Sequence, residues 1–359
     1  MKSLSLEQLQ RRFDRLRSLQ RRLARAPATH FIACGKRYDL PLSARTAKPC
    51  ADVIPPRIVD YMAGFFDGDG CVSRHKDKYQ LSVGQAESGS EVLLLFRNLL
   101  GGGIYAKGRA QGTRQVTLQW SVFSKRAQHA AAKLSRSSCF KHEKLWLAAA
   151  LPERSRQNGM KPSRALCRSW SYLAGFFDAE GSIRIRYPAG LTLQIGQTSP
   201  YVLFAIQDFL ARTGIQCSVH EYSGRHLLEA NRTEECRLLL KRLLTAGLRV
   251  KRHAARVSLE LAPGNFHHVR SKLQEVVGLQ SRYRRLTAAG AERAYEIQKT
   301  RTKIDRGGGI AEIERPRLVQ SQLMNLQATH RLKCAEERYV LLRADIRSQL
   351  RQGACIGNS

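Results

Sequence analysis

The sequence predicts an α+β protein made of two pseudo-symmetric halves, each with the element order α-β-β-α-β-β-α. Three observations support this prediction. The segment YMAGFFDGDG at 61–70 returns as YLAGFFDAEG at 172–181, 111 positions later. Polar residues downstream recur at nearly the same offset, and apolar residues alternate with polar ones after each copy. Internal similarity of this kind indicates one structural unit used twice.

The limits of the repeat divide the chain into five segments. With 359 residues, 43% of them hydrophobic, the chain is long enough for two domains and extensions. The predicted segments are a basic N-terminal extension at 1–54, a first half at 55–155, a linker at 156–168, a second half at 169–265 and a helical C-terminal extension at 266–359.

Each half is predicted to begin with a helix that packs against its counterpart. Apolar residues at helical spacing form a buried stripe on the first of these helices. This stripe consists of Ile58, Tyr61, Met62, Phe65 and Phe66. Beside it runs a stripe of small residues, Gly64 and Gly68 in one copy and Gly175 and Ala179 in the other. Two such helices can pack closely, so we expect them to pair about a pseudo-twofold axis.

The stretches after each first helix are predicted to be strands with one basic or polar face. IRIRY at 183–187 places Ile183 and Ile185 on one face and Arg184 and Arg186 on the other. LTLQIG, QLSVG and IYAKGR alternate in the same way. Most surface charge is only solvated, but both halves repeat this face beside an acid. The other predicted contacts of this face are Ser73, His75, Gln80, Ser82, Tyr105, Lys107, Arg109, Thr192, Gln194 and His220.

The second pair of helical patterns, VLLLFRNLL and YVLFAIQDFL, is typical of helices with one buried face. In each half a further helical segment follows and carries a lysine, Lys141 in CFKHEK and Lys251 in RVKRHA. These helices complete the seven-element order.

An acid closes each first helix, Asp69 in one copy and Glu180 in the other. Paired helices would bring the two carboxylates together at one end of their interface. A carboxylate at a helix C-terminus opposes the helix dipole, which costs about 0.3–1 kcal/mol, and two carboxylates also repel each other. A divalent cation that prefers oxygen ligands, Mg²⁺ or Mn²⁺, would relieve both penalties. The sequence therefore predicts a metal site with Asp69 and Glu180 as ligands.

The charge predicts a polyanionic partner. Lys and Arg number 61 against 29 Asp and Glu, which gives a net charge of +32. No apolar run reaches the length that spans a membrane, so nucleic acid is favoured over a membrane surface. On charge alone, a basic ribosome-associated protein remains an alternative.

A carboxylate-held metal in a basic protein points to phosphodiester hydrolysis. Gln85 and Gln197 recur in register and are candidates to position the attacking water. Lys141 and Lys251 also recur in register and are candidates to offset negative charge on the phosphorane. Either lysine alone would be an ordinary surface residue; their recurrence makes them candidates.

The N-terminal segment is predicted to be a basic helix, with Leu9, Phe13, Leu16 and Leu23 at helical spacing among arginines. Two interpretations stay open: a transit peptide for a chloroplast or mitochondrion, or a helix that contacts nucleic acid. Nine cysteines without a C-x-x-C pair indicate reduced thiols in an intracellular protein.

The repeated decamers resemble the signature of the LAGLIDADG homing endonucleases in their single-chain form. The two motifs are MAGFFDGDG at 62–70 and LAGFFDAEG at 173–181, and the resemblance covers about 55–265. It implies a saddle-shaped monomer whose two antiparallel sheets straddle double-stranded DNA. It also implies a site-specific endonuclease that cuts both strands of a long site, leaves short 3′ overhangs and promotes intron or intein-type homing.

The resemblance also implies roles for the residues of the two motifs. Asp69 and Glu180 would be the metal ligands, with both glutamines and both lysines in the surrounding catalytic pocket. The second motif ends in Glu where the first has Asp, a change that keeps a carboxylate. The register of the lysines stays open, because Lys144, Arg252 and His253 lie nearby.

Three other functions compete with DNA cleavage. A splicing maturase of the same fold would bind intron RNA and need no acids. A non-cutting DNA-binding derivative would not need them either. A purely structural ribosomal factor has no use for an acid pair at a helix interface. The presence of both acids favours cleavage.

Overall fold

The computed structural model describes residues 4–47, 51–76, 78–108, 110–150, 167, 169–276, 283, 285–306 and 314–356. Within these ranges the chain forms two similar halves and two extensions, with antiparallel sheets. The predicted fold class is confirmed. Arg109 lies outside the described residues, as does the predicted linker apart from Cys167.

The N-terminal extension contains a helix and short strands. They are α1 (Leu6–Arg22), β1 (Leu23–Ala24), β2 (His30–Ala33) and β3 (Lys36–Asp39). Ser5 and Gln8 form a capping box at the start of α1, in which each side chain accepts a hydrogen bond from the other's backbone N–H. Strands β2 and β3 pair as an antiparallel hairpin, which the helical pattern of this segment did not predict.

The first half consists of one four-stranded antiparallel sheet and its helices. Its elements are α2 (Pro56–Asp69), β4 (Gly70–His75), β5 (Lys78–Ala86), α3 (Ser90–Leu100), β6 (Gly103–Ala106), β7 (Thr117–Phe123), α4 (Ser124–Ser135) and α5 (His142–Ala150). The strand order is β4-β5-β7-β6. Pro56 occupies the first turn of α2, where its missing N–H would have no helical partner.

The second half repeats this arrangement. Its elements are α6 (Trp170–Glu180), β8 (Gly181–Arg186), β9 (Gly190–Gln197), α7 (Pro200–Arg212), β10 (Ser218–Tyr222), β11 (Arg225–Ala230), α8 (Thr233–Thr245) and α9 (Arg252–Leu259). The strand order β8-β9-β11-β10 matches that of the first half. Each half therefore contains the predicted seven elements, and a short helix, α5 or α9, follows them. Lys141 and Lys251, predicted on the seventh element, lie instead directly before this short helix.

Helices α2 and α6 pack so closely that their backbones touch. A Cβ atom built on Gly64 would lie 2.0 Å from the carbonyl oxygen of Tyr172, and one built on Gly175 would lie 1.9 Å from the carbonyl oxygen of Tyr61. Real Cβ atoms do not approach backbone this closely. Only glycine fits at these two positions, and the ends of both helices are thereby held together.

The apolar stripe of the paired helices lies in a core that is continuous between the halves. Tyr61, Met62, Phe65 and Phe66 are buried, and Ile58 is partly buried. The counterparts in α6 are buried in the same core: Tyr172, Leu173, Phe176 and Phe177. The helix interface is thus part of the hydrophobic core and not a surface contact.

The C-terminal extension returns to the N-terminal one. Its elements are α10 (Phe266–Val276), α11 (Ala288–Arg306), α12 (Glu314–Arg351) and β12 (Cys355–Ile356). Strand β12 pairs with β1, and α1 packs along α12. A second small core joins them, built from Leu23, Tyr283, Leu342, Ile346 and Ala354. None of the helices in the described ranges has the length and apolar content needed to cross a membrane.

Candidate active site

The two predicted acids meet at one end of the paired helices. Asp69 is the last residue of α2, and Glu180 is the last residue of α6. Burial is the larger cause and the negative charge of Glu180 the second cause that raise the pKa of Asp69 to about 6, against the opposing effects of Lys251 and Lys141. The two carboxyl groups therefore repel each other, and the neighbouring cations offset this repulsion only in part.

Each helix end is also capped by a lysine. The Nζ atom of Lys141 donates to the carbonyl oxygens of Phe66 and Gly68, both at 2.9 Å, and Nζ of Lys251 donates to the carbonyl oxygen of Asp178. These carbonyls lie in the last helical turn, at the negative end of the helix dipole, where a cation is favoured. Burial lowers the pKa of both lysines, while the nearby carboxylates act in the opposite direction.

Lys141 and Lys251 are the lysines that lie close enough to the acids to lower the pKa of Asp69. Lys141 and Lys251 each precede the last helix of their half, and both are electrostatically coupled to Asp69 and Glu180. The Nε atom of Arg252 donates instead to the carbonyl oxygen of Leu248.

The glutamines differ between the halves. Nε2 of Gln85 donates to Oδ2 of Asp69 at 2.9 Å, and its Oε1 accepts from the backbone N–H of Ala86 at 3.0 Å. Because Ala86 fixes the amide oxygen, the NH₂ group faces the acid. Gln197 ends strand β9 at the corresponding place, but within the described ranges no hydrogen bond joins it to Glu180.

A second pair of acids, which the sequence analysis did not single out, organises the site. Asp67 is completely buried and accepts five hydrogen bonds. The donors are Ser138 Oγ, the backbone N–H groups of Cys139, Phe140 and Lys141, and the hydroxyl of Tyr172. The carboxylate therefore fixes the turn that carries the first lysine and ties it to the other helix.

Asp178 does the same in the second half. It accepts hydrogen bonds from the hydroxyl of Tyr61 and from three consecutive backbone N–H groups, those of Arg249, Val250 and Lys251. The signal for this pair was present in the repeat: Asp67 and Asp178 lie 111 positions apart within the two decamers, like the acids that end the helices.

Removing the buried carboxylate should destabilise the protein. We expect Asp67→Ala to lower the free energy of unfolding by several kcal/mol, because each buried donor left without an acceptor costs about 1–3 kcal/mol. The matched control is Asp60→Ala, which removes a partly buried acid that accepts one side-chain hydrogen bond, from Ser137. Thermal unfolding of both variants makes the comparison; equal losses would contradict the role given to Asp67.

The predicted DNA-facing side chains are mostly accessible. Arg184, Arg186, Tyr105, Lys107 and His220 are exposed. Ser73, Gln80 and Ser82 are partly exposed. For His75 the structure describes only the position, in β4 opposite Lys78.

Two predicted contacts are not accessible, which corrects the expectation that they are exposed. Thr192 is 3% exposed and Gln194 is 6% exposed. Strand β9 lies inside the sheet, and longer side chains flank both positions: Arg184 lies opposite Thr192, and Glu229 lies opposite Gln194. Nε2 of Gln194 donates to Glu229 at 2.5 Å. Alternation along one strand assigns side chains to a face of the sheet. It does not show which of them are covered by side chains from neighbouring strands.

Residues 170–256 match the family model described as a LAGLIDADG-like domain. The chain contains a LAGLIDADG-like domain. For this range, which contains the second decamer and runs from the start of α6 into α9, the predicted family is confirmed. No protein among the curated ones matches the chain.

Several solved structures are similar to this chain. Meganuclease I-SmaMI bound to uncleaveable DNA has 12% identity and a TM-score of 0.43, over 60% of this chain and 97% of that one. LAGLIDADG meganuclease I-AabMI bound to uncleaved DNA has 15% identity and a TM-score of 0.40, over 56% and 89%. LAGLIDADG homing endonuclease I-GzeII in complex with its DNA target has 13% identity and a TM-score of 0.43, over 60% and 97%.

The LAGLIDADG-like domain and the first half contribute matching groups to one site. Each supplies an acid and a lysine, and the first half also supplies Gln85, which contacts Asp69. Among the described residues, no cluster of three or more His, Cys, Asp or Glu side chains could hold a metal by itself. The donors that Asp69 and Glu180 offer are all oxygens, which suits a hard cation such as Mg²⁺ that keeps several waters or phosphate oxygens as further ligands. A cation held there would favour the charged form of Asp69, against the burial and the Glu180 charge that raise its pKa.

Proposed function

We propose that the protein is a site-specific DNA endonuclease that hydrolyses one phosphodiester in each strand of a long double-stranded site. It works as a monomer with Mg²⁺ or Mn²⁺, leaves short 3′ overhangs and promotes intron or intein-type homing. The observation that carries the proposal is the meeting of Asp69 and Glu180 at the ends of the paired helices. Neither RNA binding nor DNA binding without cleavage requires a pair of repelling carboxylates there.

Asp69 and Glu180 would hold the cation, which when bound polarises the scissile phosphate and makes water a stronger nucleophile. Gln85 keeps the Asp69 carboxylate in one orientation through its hydrogen bond. Lys141 and Lys251 place positive charge beside the acids, where negative charge develops on the phosphate. Since each half contributes one acid and one lysine, each half can serve one strand of the duplex.

DNA binding in this proposal depends on the two sheets and on the net charge of +32. Arg184 and Arg186 lie on the exposed side of the edge strand β8. Arginine can pair bidentately with guanine in the major groove. The first half has Ser73 and His75 at the corresponding strand, so the two halves would read different half-sites.

Removing the two strand arginines should relax sequence selection. We expect the double variant Arg184→Ala, Arg186→Ala to lose about 1–3 kcal/mol per residue mainly on the preferred site. Binding-site selection from random duplexes measures this. The matched control is Arg212→Ala, Arg256→Ala, which removes equal charge from exposed positions on α7 and α9. If the strand variant kept the wild-type preference at every base, β8 would not be a reading surface.

A cleavage selection tests the function itself. The protein is incubated with a library of duplexes that carry random 30-base-pair inserts, in Mg²⁺ or in EDTA, and the cut ends are sequenced. We expect one family of related sites, cut in both strands with 3′ overhangs only in Mg²⁺. Specific binding without any cut in Mg²⁺ or Mn²⁺ would contradict the proposal.

A further inference from the structure

A basic pocket lies where the N-terminal extension meets the first half. Its volume is about 370 Å³, and it is lined by Arg17, Arg21, Gln111, Gly112, Thr113 and Arg114. Three of the six lining residues are arginines and none is acidic. The arginines come from α1 and from the loop between β6 and β7, which lie far apart in the sequence. None of the lining residues belongs to the paired acids or to the interface between α2 and α6.

The pocket is built on a fixed framework. The backbone N–H of Gly112 donates to the carbonyl oxygen of Leu23 at 2.8 Å, and Nε2 of the buried Gln349 donates to the carbonyl oxygen of Gly112 at 2.7 Å. Nη2 of Arg25 donates to the carbonyl oxygen of Arg114 at 2.9 Å. Both terminal extensions are therefore fastened to this one loop.

The arginines differ in how they are held. The guanidinium of Arg17 lies 4.8 Å from the ring centre of Tyr283, and Nη1 donates to Gln20. Arg21 and Arg114 are exposed, and within the described ranges neither side chain is part of an ion pair. Guanidinium groups offer planar pairs of donors that match the oxygens of a phosphate. Arg21 and Arg114, which no acid neutralises within the described ranges, lie beside the positioned guanidinium of Arg17. Together they form a site that favours a phosphate.

The position of the loop indicates the source of that phosphate. The loop follows β6, the edge strand of the first-half sheet, and the exposed Tyr105 and Lys107 lie on this strand and directly after it. Both belong to the predicted DNA-facing set. A duplex that lies against this sheet edge would pass its sugar–phosphate backbone by the pocket.

We propose that Arg17, Arg21 and Arg114 bind a backbone phosphate of the DNA duplex beside the first-half sheet, which extends the interface onto the N-terminal helix. This inference rests on the proposed function, because it takes DNA as the partner. The pocket reads no bases; it adds affinity and fixes the position of the duplex.

Salt-dependent binding to duplex DNA of arbitrary sequence tests the pocket. The pocket variant is Arg21→Gln, Arg114→Gln, and the control is Arg12→Gln, Arg15→Gln, which removes the same charge from exposed positions of α1 outside the pocket. The loss of one phosphate contact should make the slope of log K against log salt less steep by about 0.9. At 0.1 M salt this corresponds to an affinity about eightfold lower. The control should change far less. Arg21→Lys, Arg114→Lys should keep most of the slope, because it keeps the charge.

The outcomes separate this inference from the proposed function. Wild-type protein that failed to bind duplex DNA would overturn both. Wild-type binding with equal losses in pocket and control variants would overturn the pocket alone, since the arginines would then act only through net charge. A loss seen with duplex RNA but not with DNA would also overturn it. Thermal unfolding of the variants should match the wild type, because all four substituted side chains are exposed.

Discussion

Asp69→Asn or Glu180→Gln should abolish double-strand cleavage while DNA binding stays largely intact. In the proposed function the sheets and the net charge would provide binding, whereas the acids would hold the cation. Loss of several kcal/mol of transition-state stabilisation corresponds to at least about a thousandfold in rate. Single-turnover cleavage and gel-shift binding on one duplex measure the two properties separately.

Without metal, Asp69→Asn should not be less stable than the wild type. The pKa of Asp69 is about 6 in the folded protein, above its ordinary value of 3.8. The folded chain thus holds this proton more tightly than the unfolded chain, and stability falls as the pH rises from about 4 to above 6. Asp69→Asn has no carboxyl group to ionise at this position and therefore lacks this loss of stability. At pH 7 its melting temperature should equal or exceed that of the wild type.

A surface acid provides the control for both measurements. Asp208→Asn removes a carboxylate on α7 that pairs with Arg212 and is 59% exposed. It should cleave at the wild-type rate. If Asp69→Asn or Glu180→Gln cut both strands as fast as Asp208→Asn, the acids would not be the metal ligands.

Gly64→Leu or Gly175→Leu should cause a large loss of stability. In each case the first side-chain carbon would fall about 2 Å from a backbone carbonyl of the facing helix, and a backbone cannot rotate away as a side chain can. Overpacking costs about 1–3 kcal/mol and occasionally more. We expect the upper end or beyond, because the two helices must move apart along the core.

Alanine substitutions give a matched comparison. Gly64→Ala adds one methyl group at the helix contact, and Gly84→Ala adds the same group in β5, where no atom lies within 4 Å of the new carbon. Thermal and denaturant unfolding should show a clear loss for the first and little change for the second. Equal stability of the two variants would contradict the close contact between the two helices.

The repeat explains why so much of the core could be predicted. Because the two decamers align at one offset, the paired helices, their glycines and their terminal acids followed from the sequence. Helical periodicity also predicted α1, but the hairpin β2–β3 was missed because it is short and has no counterpart in the other half. Asp67 and Asp178 recur at the same offset as the terminal acids, but their structural role was missed because most of their donors are backbone N–H groups about 70 positions further along the chain. The burial of Thr192 and Gln194 depends on neighbouring strands, which alternation within one strand cannot show.

Metal binding is the most direct test of the central claim, that Asp69 and Glu180 jointly hold the catalytic cation. Mn²⁺ uptake by the protein–duplex complex can be followed by electron paramagnetic resonance for the wild type and for the double variant Asp69→Asn, Glu180→Gln, with Asp208→Asn as the control. We predict that the wild type and the control bind Mn²⁺ equally, and that the double variant loses this binding while it retains the duplex. Equal Mn²⁺ binding by the double variant and the wild type would contradict the claim.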